Sequence, residues 1–116
     1  MKINDVARTL NARLLTRGPS GSARVDRIYA GDRVSDLLNH VSETTLLITN
    51  LANVSLLRVT ELMDIPGICL VNNARPDDAM LEQAEDGGTL LMVSPDGLFE
   101  TCGRLYQAFI QNGTSE

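Results

Sequence analysis

Eight polar side chains in three short segments carry the chemistry that this 116-residue chain offers most readily: Thr49, Asn50 and Asn53, then Asn72, Asn73 and Arg75, then Ser94 and Asp96. Each segment directly follows a compact aliphatic run, Leu46-Leu47-Ile48, Ile68-Cys69-Leu70-Val71 and Leu90-Leu91-Met92-Val93. If those runs are parallel strands, the segments Thr49 to Asn53, Asn72 to Arg75 and Ser94 to Gly97 are their exit loops, where open α/β sheets gather ligand contacts beside helix N-termini. Hydroxyls, amides and one guanidinium in such a crevice suit a small polar or phosphorylated ligand, a nucleotide among them. Taken singly, each Asn or Asp also has a local reading as a turn or cap residue.

Other constellations are weaker. Asp32, Asp36 and His40 recur every four residues and would share one helix face, with Glu43 nearby, in a pattern able to hold a divalent cation. Asp36 is equally placed to satisfy first-turn amides and His40 to meet a helix C-terminus, so a solvated face is the expected role, and no metal or other cofactor is assigned. His40 could pair formally with Cys69 or Cys102, but one thiol lies inside an apolar run and the other on the inward stripe of a helix. Both read as packing thiols, with no neighbouring cation to favour the thiolate. Nine of the ten basic residues are Arg and the only lysine is Lys2. A phosphate-binding loop of the Walker type and a Schiff-base lysine are therefore both missing. The chain contains no serine elbow, glycosidase carboxylate pair or metal-hydrolase helix motif, and the expectation is a protein that is not an enzyme.

These residues need elements to position them. Ile3, Val6, Ala7 and Leu10 recur at helical spacing, with Asp5 near the start. Arg13 to Thr16 reads as a brief strand, Arg17 to Ser22 as a loop, Arg24 to Ala30 as a further short strand and Ser35 to His40 as a short helix. In the second half, the three apolar runs are spaced about 22 residues apart and alternate with helical patterns over Val54 to Met63 and Asp77 to Asp86. Pro76 and Asp77-Asp78 mark a helix start, and Gly87-Gly88 a stop. A last helix, Leu98 to Ile110, is expected to carry Leu98, Cys102, Leu105, Tyr106 and Phe109 on one face. Continuous apolar strands alternating with amphipathic helices imply a strand set covered on both sides, hence a three-layer α/β/α fold with a mainly parallel sheet. One domain over residues 3–111 and a flexible tail over 112–116 account for the length.

Composition excludes several partners. The net charge of −5 opposes attraction to a phosphate backbone or an anionic bilayer, so neither nucleic acid nor membrane is expected as a partner. No apolar stretch reaches the roughly 18 residues of a bilayer span. Two cysteines and a polar N-terminal decapeptide point to the cytoplasm. With 3% aromatic residues the core must be aliphatic, and a domain this small commonly completes its burial as a homodimer.

The ordered set Ile28-Tyr29-Ala30-Gly31-Asp32-Arg33-Val34-Ser35-Asp36-Leu37-Leu38, Leu47-Ile48-Thr49, Gly67-Ile68-Cys69-Leu70-Val71 and Arg75-Pro76 resembles the DRTGG domain family. The likeness runs from about residue 3 to residue 110. It is nearest to short stand-alone members, described as similar to the N-terminal domain of HPr kinase/phosphorylase. The resemblance implies a non-catalytic regulatory or ligand-sensing module, since members accompany CBS domains or precede the catalytic part of some phosphotransacetylases, and tend to form dimers. The alternative it implies is an accessory or assembly factor contacting a larger metabolic or redox enzyme, because stand-alone versions occur beside iron-only hydrogenase components. The sequence departs from the family where the acidic-Arg-Thr stretch would stand, which here reads Asn50-Leu51-Ala52-Asn53-Val54. It departs again where the glycine pair would stand, which here is Asn72-Asn73. Gly31-Asp32-Arg33 looks like the family tripeptide but falls too early in the chain.

Overall fold

A computed structural model describes residues 1–18, 23–33, 39 and 41–111. The helix expected over Ser35 to His40, the Asp36 and His40 pair and the tail 112–116 lie outside the described residues. A first helix, α1 (Ile3–Leu10), is followed by β1 (Arg13–Leu14), β2 (Arg27–Ala30), β3 (Thr45–Thr49), α2 (Val54–Leu62), β4 (Gly67–Leu70), α3 (Asp78–Gly87), β5 (Leu90–Val93) and α4 (Leu98–Gln111). The five strands form one sheet in the order β1-β5-β4-β3-β2. Strands β2 to β5 pair in parallel, and β1 is antiparallel to β5.

The apolar runs form strands because both of their faces are covered. Along β3, Leu46 and Ile48 join one core cluster and Leu47 the other; along β5, Leu90 and Met92 alternate in the same way with Leu91 and Val93. The first cluster packs under α1 and α4 through Ile3, Val6, Leu10, Leu105 and Phe109. The second packs under α2 and α3 through Leu56, Leu57, Met80 and Ala84. Each fully buried aliphatic side chain contributes about 1.5–3 kcal/mol, and this two-sided burial holds the three layers together.

Local chemistry sets the ends of the elements. Asn53 Oδ1 accepts from Leu56 N–H at 3.1 Å and caps α2, and Asp77 accepts from Met80 N–H at 2.9 Å and caps α3. Gly88 ends α3 at φ +72, a left-handed conformation that favours glycine. The brief strand expected over Arg13 to Thr16 shortens to two residues, because Thr16 substitutes for the ladder. Its Oγ1 donates to Thr89 O at 2.7 Å and accepts from Leu91 N–H at 2.9 Å.

The last helix departs from the expected single face. Leu105 and Phe109 are fully buried, whereas Tyr106 is 57% exposed and Leu98 41% exposed. The sheet needs only the stripe through Thr101, Leu105, Ala108 and Phe109, and Tyr106 lies one residue, about 100° of turn, beyond Leu105.

Candidate functional site

The exit loops of β3, β4 and β5 follow parallel neighbours and so emerge at one end of the sheet. From β3 the chain runs to α2 and from β4 to α3, both on the same face. From β5 it runs to α4 on the opposite face. Neighbouring loops therefore diverge between β4 and β5, which is the geometry that opens a crevice at the C-terminal edge of an α/β sheet.

Asn72 and Asn73 begin the β4 exit with φ of 59° and 55°. Ala74 N–H closes the turn onto Val71 O at 3.1 Å. Asparagine tolerates this left-handed region better than most side chains, so the pair sustains a conformation that a glycine pair would also supply. The turn is tied to the β5 exit: Asn72 N–H donates to Asp96 O at 2.8 Å and Asn73 N–H to Ser94 O at 3.0 Å. A Cβ on Gly97 would stand 3.4 Å from Asn72 Oδ1, which places that amide against the start of α4. Both asparagine side chains are exposed at the rim.

The hydroxyls have a different role. Thr49 is fully buried, and its Oγ1 accepts from Leu51 N–H at 3.1 Å. Ser94 is also fully buried; its Oγ lies 2.9 Å from Thr101 Oγ1 and accepts from Asp96 N–H at 3.2 Å. Thr49, Asn53 and Ser94 thus shape the loops and the helix start. The groups left facing outward are the side chains of Asn50, Asn72, Asn73 and Arg75, all exposed.

Asp96 is half withdrawn. Its Oδ2 is buried and lies 3.2 Å from Arg104 Nε, close enough for an ion pair, but the N–H does not aim at that oxygen and Oδ2 has no hydrogen bond. Among the described residues it is the one buried side-chain polar atom without a hydrogen bond. Thr101 and Arg104 were not evident as site residues in the sequence. They sit seven and eight positions beyond the loop residues they support, and only the return of α4 over the sheet brings them back.

Neither thiol is poised for nucleophilic chemistry. Burial pushes the Cys69 thiol up to about 12, and Cys102 is raised for the same reason. Among the described residues no three His, Cys, Asp or Glu side chains come together as a metal site, and no helix is long and apolar enough to cross a membrane. Three clefts formed by described residues lie away from the three loops. One of about 400 Å³ sits at the opposite end of the sheet near Glu61, Asp64 and Thr89. A second of about 590 Å³ lies beside β1 near Arg17 and Glu85, and the third is an apolar groove along α4.

No protein-family model and no curated protein matches the chain. Among solved structures it is similar to the CBS and DRTGG domains of the regulatory region of Clostridium perfringens pyrophosphatase, solved with its activator, diadenosine tetraphosphate. The TM-score is 0.76 at 12% sequence identity, over 91% of this chain. The two share a fold. The chain spans 46% of the length of that structure, so the likeness concerns part of a regulatory region. A CBS/DRTGG-like fold accords with the mainly parallel α/β architecture.

Proposed function

We propose that this chain is a non-catalytic regulatory module of the cytoplasm that senses a nucleotide or phosphorylated metabolite at the exit loops of β3, β4 and β5. The observation that carries the reading is the divergence of the β4 and β5 exits. Two backbone hydrogen bonds, from Asn72 N–H to Asp96 O and from Asn73 N–H to Ser94 O, join those loops, and Arg75 lies on the same loop as the two asparagines. The fold shared with a regulatory region that was solved with a dinucleoside polyphosphate supports it.

In this reading Arg75 meets phosphate through charge-assisted hydrogen bonds, and Asn50, Asn72 and Asn73 offer amides to base or sugar. The half-buried Asp96 carboxylate accepts from a ligand hydroxyl or amine, while Thr49, Asn53 and Ser94 hold the loops in place. A protein of net charge −5 repels a polyanion at long range, so short-range geometry around Arg75 must provide the affinity. The module extends over residues 3–111 and is of the DRTGG type, akin to the N-terminal domain of HPr kinase/phosphorylase.

Calorimetric titration with diadenosine tetraphosphate, AMP, ADP and ATP tests the proposal. Saturable binding of at least one of them, lost in Asn72→Ala/Arg75→Ala, is the expected result. No heat from any nucleotide or from a panel of sugar phosphates would overturn it.

A further inference from the structure

Helix α4 has a second apolar stripe that the sheet does not use. Phe99, Gly103, Tyr106 and Ile110 follow one another at intervals of four, three and four residues, the spacing of a helix-pairing seam. Phe99 is 89% exposed, Tyr106 57% and Ile110 60%. With Ile28 and Ala30 of β2, which is the free edge of the sheet among the described residues, Phe99, Gly103 and Tyr106 border an open groove of about 780 Å³.

The seam is symmetric about a point midway between Arg104 and Leu105. A second copy of α4 laid antiparallel across that point sets Tyr106 over Gly103 of the other copy, and Phe99 over Ile110. Space for this exists, because nothing stands within 4 Å of a Cβ built at Gly103. Large meets small at the centre and large meets medium at the ends, twice over, as an isologous interface requires. Arg104 lies about 130° of turn away from the seam, beside Asp96 of its own chain, so two like charges do not face each other across it. The area also suffices: the exposed parts of Leu98, Phe99, Tyr106 and Ile110 offer about 400–500 Å² per copy. Two copies with their surroundings reach the ~1,000 Å² at which specific interfaces begin.

We infer that the chain forms a two-fold dimer through antiparallel packing of α4 against α4 of a second copy, with Tyr106 seated on Gly103. This goes beyond the ligand-sensing proposal and does not rest on it. It gives the self-association expected of so small a domain a defined surface.

Sedimentation velocity across a concentration series is the test. Wild type is expected at twice 12.6 kDa, shifting toward 12.6 kDa only on dilution. Phe99→Arg and Gly103→Leu are each expected to sediment at 12.6 kDa at every concentration, with circular dichroism and melting like those of the wild-type monomer. Gly103→Leu adds its side chain to open space in the single chain, so its effect reads the interface and not the fold. Leu62→Arg, on a residue 77% exposed at the end of α2, is expected to remain dimeric. A wild type that stays monomeric throughout, a dimer indifferent to both seam variants, or a dimer lost in Leu62→Arg would overturn the proposal.

Discussion

The Ser94 and Thr101 hydroxyls meet at 2.9 Å inside the protein, both fully buried, and join the end of β5 to the first turn of α4. Ser94→Ala strands the Thr101 hydroxyl and removes the acceptor of Asp96 N–H. The expected cost is about 1–3 kcal/mol, seen as a fall in Tm of about 5–10 °C for a domain of this size. Replacing both partners by apolar groups, in Ser94→Ala/Thr101→Val, recovers part of that loss in a double-mutant cycle on Tm, because no hydroxyl is then left without a partner.

Arg75 is exposed, and no hydrogen bond or ion pair of its side chain occurs among the described residues. Its removal therefore leaves stability unchanged and reports on binding alone. Arg75→Ala is expected to weaken a phosphorylated ligand by about 10-fold or more, the worth of a charge-assisted hydrogen bond, with Tm in the absence of ligand unmoved. Arg75→Lys restores only part of the affinity if the contact is bidentate. Titration calorimetry and a thermal melt on the same samples separate the two effects.

Gly67 opens β4 on the α1 side of the sheet, where a Cβ would stand 2.8 Å from Ile3 Cδ1 and 3.0 Å from Leu90 O. Gly67→Ala thus overpacks a point where helix and sheet touch. A loss of about 1–3 kcal/mol in urea denaturation is expected. Adding Ile3→Val removes Cδ1 and relieves the side-chain clash, while the contact with the carbonyl persists, so recovery is partial.

Ionisation of the thiols makes stability depend on alkaline pH. Cys69 titrates at about 12 when folded against 9.0 for an unperturbed thiol, so the folded chain holds its proton more tightly than the unfolded one. Its contribution is full below pH 9 and is lost as pH rises from 9 toward 12, with a slope of up to about 1.4 kcal/mol per pH unit. Denaturant melts at pH 8, 9.5 and 10.5 should show this decline, and Cys69→Ala should reduce it, leaving the part that Cys102 contributes. At pH 8 iodoacetamide should leave Cys69 unmodified until denaturant is added.

Much of the fold was legible in the sequence. Leu46-Leu47-Ile48, Ile68 to Val71 and Leu90 to Val93 announce strands buried on both faces because every residue is apolar. Pro76, Asp77 and Gly88 mark helix ends through backbone chemistry that acts within one turn. What lay hidden depends on partners distant in the chain. The two-residue β1 is short because the Thr16 hydroxyl bonds to Thr89 and Leu91, a relation across more than seventy residues. Tyr106 reads as a core residue in any tally of apolar types, and only the placement of Leu105 and Phe109 against the sheet turns it outward. At the loops, residue type indicated polar chemistry but not its division of labour. Thr49 and Ser94 proved to be internal braces, whereas Asn72 and Asn73 form the exposed turn.

The ties between the β5 exit and α4 have a mechanical consequence. Ser94 holds Thr101, Asp96 sits against Arg104, and the β4 turn is fastened to the same loop through two backbone bonds. The crevice floor and the long closing helix therefore behave as one stiff lever. Any tilt imposed at the turn is passed to the start of α4 and so to Ile110, twelve residues along the helix from Leu98.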